Sequence, residues 1–388
     1  MNKSQENTPV VIVGGGPVGL VLALSMQQQG LPVKVLEARK QGAAYQDKRA
    51  LALSYGSKII LEKLGVWSDV AVNATAINTI HVSQRGSVGR SKLQAEEHDL
   101  PALGYVVSYG ALMQALDAGL AAKHVMYEAP ANRISQNEQM ATVGFTFLGE
   151  EMTLASSLLV IAEGGRGLDN IPSLKRDTKA YGHDALVSKV SSELPHGNIA
   201  YERFTPAGPM ALLPNGDRDF SLVWTGKKAG LDRLLTLDDA TFLAELHAAF
   251  GDRVGRFLSI QKRLSFPLVK AQLTNNTTPH MVVIGNSAQT MHPVAGQGFN
   301  VGLRDATALM KQLAATPQAD WGNPAMLAGY AKTRTRDTKG GLLFTDFLVS
   351  LFTNDLIGLS VMRSMGLGLL DVFKPIKRVL VSKMSYGK

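Results

Sequence analysis

Three runs of consecutive apolar residues stand out along the chain, and each is followed within three residues by a glycine. Val10-Val11-Ile12-Val13 stops at Gly14, Leu158-Leu159-Val160-Ile161 leads into Ala162-Glu163-Gly164, and Met281-Val282-Val283-Ile284 stops at Gly285. Short runs that are apolar at every position predict buried strands, with Leu158–Ile161 central in a sheet. After the first run, Leu20, Leu22, Ala23, Leu24 and Met26 predict a helix. After the third, Val301, Leu303, Ala306, Leu309, Met310 and Leu313 fall at helical spacing. Twice, then, a strand feeds a glycine-rich loop that opens a helix. A helix start presents free backbone N–H groups and the positive end of its dipole, which suits an anionic ligand group.

The remaining pattern divides the chain. Residues 1–75 read as a βαβ unit with a following helix. Thr79-Ile80-His81-Val82 predicts a strand, followed by a polar, charged stretch to about residue 105. From Tyr105 a strand gives way to a helix with Leu112, Met113, Leu116 and Leu120, and Ala141–Phe147 reads as a further strand. Between about 180 and 270 the texture changes to period-two runs such as Phe220-Ser221-Leu222-Val223-Trp224-Thr225, broken by Pro and Gly. That predicts an antiparallel sheet facing the substrate. After 275 the parallel-sheet texture returns. The expected fold class is therefore α/β, with a discontinuous cofactor domain from 1–75, 100–178 and 275–340. The substrate domain is expected from 76–99 and 179–274, and 341–388 reads as a C-terminal helical region. No internal repeat is evident.

The first glycine loop, Gly14-Gly15-Gly16-Pro17-Val18-Gly19, meets the spacing G-x-G-x-x-G at Gly14, Gly16 and Gly19. The first glycine permits the tight turn, the second lets a pyrophosphate approach the backbone, and the third lets the helix pack close to the strand. The next strand, Val33-Lys34-Val35-Leu36, ends at Glu37, whose carboxylate suits a ribose diol. Strand, loop, helix and acid together predict a dinucleotide site. The fingerprint occurs once. An enzyme with a dedicated NAD(P)H domain would carry a second, so one tightly held dinucleotide and a visiting nicotinamide cofactor are expected.

Composition acts mainly by exclusion. The 388 residues are 45% hydrophobic and 19% charged, which predicts a globular chain of one large or two medium domains. There is no cysteine, which removes disulfides, thiolate catalysis and cysteine-ligated metal sites; no metal site is expected. MNKSQENTPV reads as a short polar tail, and no apolar run is long enough to predict a membrane span, so the expected location is cytoplasmic. The net charge of +8 fits anionic cofactors or anionic lipid. Nucleic acid is not expected, because no basic run with interleaved aromatics and no helix-turn-helix or zinc pattern occurs. Part of the excess is local: Arg363, Lys374, Lys377, Arg378, Lys383 and Lys388 stand against Asp371 in residues 361–388.

The fingerprint with Glu37, the middle motif near Glu163, and GNSAQTMHP at 285–293 running into GQGFNVGLRD at 296–305 resemble class A FAD-dependent aromatic monooxygenases of the para-hydroxybenzoate hydroxylase fold. Asn286, Gln289, residues 296–300, Tyr201-Glu202-Arg203-Phe204-Thr205-Pro206, Gly208-Pro209 and Leu212-Leu213-Pro214 are similar to the ubiquinone-biosynthesis hydroxylases, with the 2-polyprenyl-6-methoxyphenol hydroxylases as the nearest branch. The resemblance covers nearly the whole chain. It implies that Gly14, Gly16 and Gly19 line the FAD pyrophosphate and that Glu37 holds the adenosine ribose. Arg49 would lie along the phosphates, where a planar guanidinium fork suits them; a surface ion pair is the alternative. Gln114 would sit near the flavin chain, or simply at the surface. The family usually carries Gly-Asp-Ala-Ala-His where this chain has Gly285-Asn286-Ser287-Ala288-Gln289. Asn286 can still serve the ribityl hydroxyls. Pro293 would stand over the flavin ring, and the backbone of Gly296, Gln297, Gly298, Phe299 and Asn300 would face its pyrimidine edge, where a helix start stabilises negative charge. Asp305 caps or pairs locally, and His292 is either a packed loop histidine or a proton shuttle. The middle motif departs most. Ala162-Glu163-Gly164-Gly165-Arg166-Gly167 replaces an Ala-Asp-Gly pattern that ends in serine and arginine, which bears on NAD(P)H handling more than on FAD.

The reaction implied is hydroxylation of a prenylated phenol ring by dioxygen, with NADPH or NADH as transient co-substrate and no side-chain nucleophile. Residues 341–370 hold Leu342, Leu343, Phe344, Phe347, Leu348, Val349, Leu351 and Phe352 ahead of the basic end. This implies peripheral contact with an inner-membrane surface or with a multi-enzyme complex. Homo-oligomers stay open. The competing functions are a prenyl reductase of the same fold and a non-catalytic flavin-binding scaffold of a quinone-synthesis complex.

Overall fold

The computed structural model describes residues 6–86, 89–165, 171, 174–290, 297–335 and 374–387. The three apolar runs lie side by side. A six-stranded sheet has the order Thr277–Thr278, Met281–Val283, Leu158–Ile161, Val10–Val13, Lys34–Leu36, Val125–Met126, and every pairing is parallel except that of the Thr277–Thr278 edge. Val10, Val11, Ile12, Leu158, Leu159, Val160, Ile161, Val282 and Val283 have no solvent exposure. Both faces of this sheet are covered, which is why the runs show no polar alternation. The helix Pro17–Gln28 packs on one face against the helix Gln297–Ala314 through Leu20, Leu24, Leu303, Ala306 and Leu309. On the other face lies a sheet of Glu6–Asn7, Glu150–Ser156, Ala141–Phe147 and Ala131–Gln136.

A nine-stranded, mainly antiparallel sheet forms the second body. Its core order is Leu264–Leu273, Arg176–Ser192, Asp219–Gly226, Gly208–Pro214, Ile199–Thr205, Thr79–Gln84, Arg90–Gln94. One face is covered by the helices Lys228–Thr236 and Asp239–Phe250, which bury Phe242, Leu246 and Phe250 against Leu186, Tyr201, Leu212, Phe220 and Trp224. The charged stretch after Thr79 proves to hold a strand. Arg90 and Lys92 point outward while Ser91 and Leu93 are buried, so the alternation was hidden by two cations.

A small sheet of Ala50–Ser54, Gly104–Ser108 and Thr75–Ile77 joins the two bodies. Ile77 and Val106 pack against Ala200 of the large sheet, with Ala50 and Leu213 alongside. The C-terminal helix Lys374–Tyr386 docks near here. Val381 packs with Leu93 and Leu103, and Lys377 Nζ is 3.3 Å from Glu97. The apolar segment 341–370 lies outside the described residues.

Candidate functional site

The three glycine-ended strands run parallel in adjacent positions, so their carboxyl ends deliver three loops to one place. That is where open α/β sheets bind ligands. The loops touch. A methyl group on Gly14 (φ 109°) would lie 2.7 Å from the Ala162 carbonyl carbon and from Glu163 Cα. One on Gly302 would lie 2.8 Å from Val18. The Gly164 N–H donates to Ser287 Oγ at 2.8 Å. Arg176 then ties the middle and third motifs together, donating to the carbonyls of Gly165 and Ser287 at 3.3 Å each. Sequence reasoning missed both Ser287 and Arg176. Their role depends on strands that meet only in the fold.

The fingerprint loop has the shape its spacing implies. A methyl on Gly19 would stand 2.1 Å from the Gly14 carbonyl oxygen, so only glycine lets helix and loop pack. Gly16 is different: a methyl there would meet nothing closer than 4.0 Å, so this side of the loop is open. The helix Pro17–Gln28 has no side-chain cap and no acid in its first turn. An uncapped helix start beside an open glycine matches a pyrophosphate, both in its orphan N–H groups and in its dipole. Glu37 is 7% exposed and takes the Gly15 N–H at 2.8 Å on Oε2. Its Oε1 takes the backbone N–H of Arg39 at 2.9 Å and Nε at 2.8 Å. Its carboxylate is thus fixed at the loop before any ribose arrives.

The third motif divides its labour. Asn286 is exposed, whereas Gly285, Ser287, Ala288 and Gln289 are buried. The Gln289 carboxamide donates to Asp305 Oδ2 at 3.1 Å, and the Gly285 N–H donates to the same oxygen at 3.0 Å. Asp305 is the hub, with Arg334 Nε on its other oxygen at 2.6 Å. A glutamine therefore replaces the family histidine with a donor still in place. The helix Gln297–Ala314 starts at this motif. Gly298 has open space where a side chain would be, and Phe299 is half-buried against the core. The Asn300 side chain turns inward: it accepts from the Ser54 N–H at 2.8 Å and Ser57 Oγ at 2.7 Å, and donates to the Ala52 carbonyl at 3.0 Å. It holds the strand after Arg49 against the helix, so any cofactor contact at Asn300 falls to its backbone. Pro293, Gly296 and His292, like Arg166 and Gly167, lie outside the described residues.

The two side chains expected along the cofactor, Arg49 and Gln114, are exposed. Arg49 pairs with Asp47 at 2.6 Å, stacks over Tyr109 at 4.8 Å, and keeps 65% of its side chain exposed. Gln114 is exposed on the helix Tyr109–Gly119. Glu163 is half-buried beside Gly14. Beneath this region Asp117 accepts from Tyr45 and Tyr127 hydroxyls at 3.0 Å each, and burial pushes its carboxyl up. That network anchors the loop carrying Arg49. Among the described residues no group of acids and histidines could hold a metal ion.

The family profile described as an FAD binding domain matches residues 7–340. Ubiquinone hydroxylase UbiL of Rhodospirillum rubrum is 34% identical over 380 residues, covering 96% of this chain and 88% of that one. This chain belongs to the FAD-dependent ubiquinone-biosynthesis hydroxylases. A second member of this hydroxylase family, 3-demethoxyubiquinol 3-hydroxylase of Escherichia coli, is 29% identical and covers 94% of this chain and 95% of its own. Among solved structures, p-nitrophenol 4-monooxygenase PnpA of Pseudomonas putida superposes with a TM-score of 0.79 over 98% of this chain and 99% of its own, at 16% identity. The fold is that of the flavin-dependent monooxygenases. The matched profile spans the fingerprint, middle and third motifs.

Proposed function

We propose that this protein hydroxylates a polyprenylated phenol ring in ubiquinone biosynthesis, using FAD, dioxygen and NADPH or NADH. The observation that carries this reading is the meeting of three loops at an open, uncapped helix start, in a chain whose relatives carry ubiquinone-hydroxylase names. Gly14, Gly16 and Gly19 with the helix start would hold the pyrophosphate, Glu37 the ribose, and Asn286 the ribityl chain. The backbone of Gly298, Phe299 and Asn300 would border the flavin ring. When bound, FAD accepts hydride from the nicotinamide and activates dioxygen. The chain's own task is to orient the ring, exclude water and handle the phenol proton.

The same reading includes contact with an anionic membrane surface. The helix Lys374–Tyr386 exposes Ile376 (52%) and Val379 (66%) together with Arg378, with Lys383 half-buried one turn on. Apolar residues flanked by cations on a surface helix favour the headgroup boundary. The test of function is product analysis. The purified protein, loaded with FAD, is incubated with short-chain prenylated phenols and each nicotinamide, and the ring is examined for added hydroxyl. Nicotinamide oxidation without oxygen uptake would favour a reductase, and absence of turnover by the FAD-loaded protein a non-catalytic scaffold.

A further inference from the structure

The nine-stranded sheet has one face under its helices and another turned toward the small joining sheet. On the strand Ile199–Thr205, Tyr201 and Arg203 point to the helices: Tyr201 stacks on Phe250 at 5.2 Å, and Arg203 Nε donates to the Ala249 carbonyl at 3.1 Å. Strand alternation puts Ala200, Glu202 and Phe204 on the opposite face, and Ala200 does pack there with Val106, Ile77 and Ala50. Ala50 follows Arg49 on the strand that Asn300 pins to the ring-end helix. This face of the sheet therefore packs on the strand that Asn300 ties to the helix Gln297–Ala314.

The register defines what surrounds Glu202. It pairs with Val82 on one side and Ala211 on the other. Ala211 pairs with Val223, Val223 with Val187, and Val187 with Leu264. One cross-strand row thus reads Val82, Glu202, Ala211, Val223, Val187, Leu264, spanning five inter-strand steps, or roughly 24 Å. Its side chains are half-buried, and Leu264 is 41% exposed, with Phe266 nearby at 48%. Glu202 is the one acid in an aliphatic floor.

We infer that Glu202 is the catalytic group that accepts the proton of the substrate phenol, with the aliphatic row beside it receiving the apolar tail. This deepens the proposed hydroxylase reading and rests on it. In the step, the phenol O–H bond breaks, the proton passes to a Glu202 carboxylate oxygen, and the electron pair stays on the phenol oxygen, where it enriches the ring. The proton later returns to solvent, and no further reactant is needed. The carboxyl environment suits this task. Burial alone pushes Glu202 up to about 8, near the pH at which a general base works best. Its neighbours on this face are Val82 and Ala211 across the sheet and Ala200 and Phe204 along the strand, none of which titrates.

The test uses the full-length, FAD-loaded protein and a methoxyphenol bearing a short prenyl tail. Binding is read without nicotinamide, from the perturbation of flavin absorbance, between pH 6.5 and 9.5. Wild type should bind the phenol roughly tenfold more tightly as Glu202 ionises, since a carboxylate acceptor adds about one charge-assisted hydrogen bond. The O-methylated probe should show no such dependence. Glu202→Gln should flatten the phenol profile and lower kcat by on the order of 10²–10⁴, while Glu202→Asp restores part of both. Thermal unfolding separates this from misfolding: Glu202→Gln should match or exceed wild-type stability above pH 8, because a carboxyl raised by burial loses stability as pH climbs through its folded value. A Glu202→Gln protein that keeps the binding profile and kcat overturns the inference alone. A wild-type protein that binds FAD but no phenol overturns both the inference and the hydroxylase reading.

Discussion

Arg334 and Asp305 form a buried ion pair, Nε to Oδ1 at 2.6 Å, with side chains 6% and 3% exposed. The pair fixes more than two side chains, because Asp305 Oδ2 also holds the Gly285 N–H and the Gln289 carboxamide. One carboxylate thereby locks the third motif to the helix that begins at it. Removing one partner strands a buried charge, which costs about 3–5 kcal/mol. Asp305→Ala should therefore lower the unfolding midpoint by many degrees and weaken FAD binding. Asp305→Asn, which keeps an acceptor for Gly285, should lose less of both. Differential scanning calorimetry with a flavin titration checks the order.

Gly14 and Gly16 should fail in different ways. Gly14→Ala meets the Ala162 carbonyl and a φ of 109°, so it should destabilise the protein even without cofactor. Gly16→Val has room in the protein itself, so folding should survive. Its side chain would occupy the cradle, and FAD affinity should fall at least about tenfold, equivalent to 1.4 kcal/mol. Unfolding midpoints of the apoproteins, set beside FAD dissociation constants, separate the two effects.

His81 supplies a pH test of the substrate sheet. It is 6% exposed, stacks edge-on against Tyr201 at 5.7 Å, and its Nδ1 has no hydrogen-bond partner among the described residues. Burial first, then nearby Arg253, Lys92, Arg90 and Arg203, push it down to about 4. The unfolded chain binds the proton more readily, so stability should fall as pH drops from about 6.5 toward 4. His81→Phe keeps the aromatic contact and removes the titration. Its unfolding midpoint should decline less than that of wild type across that window.

The proposed membrane contact is tested on the C-terminal helix. Ile376→Glu with Val379→Glu should reduce co-sedimentation with anionic vesicles several-fold at low salt, leaving FAD binding intact. Equal sedimentation of the double variant and wild type would remove this helix from the membrane reading.

The fingerprint loop was legible in the sequence because its parts are local. An apolar run, a glycine spacing and an acid at the next strand end each occupy a few residues, and Val10–Val13, Gly14–Gly19 and Glu37 carry all three. What stayed hidden depends on contacts distant in sequence. Gln289 reads as a lost histidine until Asp305 is seen to need its donor, and Arg176 reads as a surface cation until the middle and third motifs meet around it. Asn300 has the residue type of a cofactor contact, yet its side chain is spent on Ser54, Ser57 and Ala52. Glu202 was invisible for another reason. Alternation gives a strand two faces without saying which one borders the ligand.

The most direct test is stoichiometric. FAD-loaded protein, a prenylated methoxyphenol and NAD(P)H are combined in an oxygen electrode, and the hydroxylated ring is quantified by mass spectrometry. The expected result is equimolar loss of oxygen and nicotinamide with gain of hydroxylated phenol. A protein that takes up no FAD, or that consumes nicotinamide with no oxygen incorporated into the ring, would contradict the hydroxylase reading.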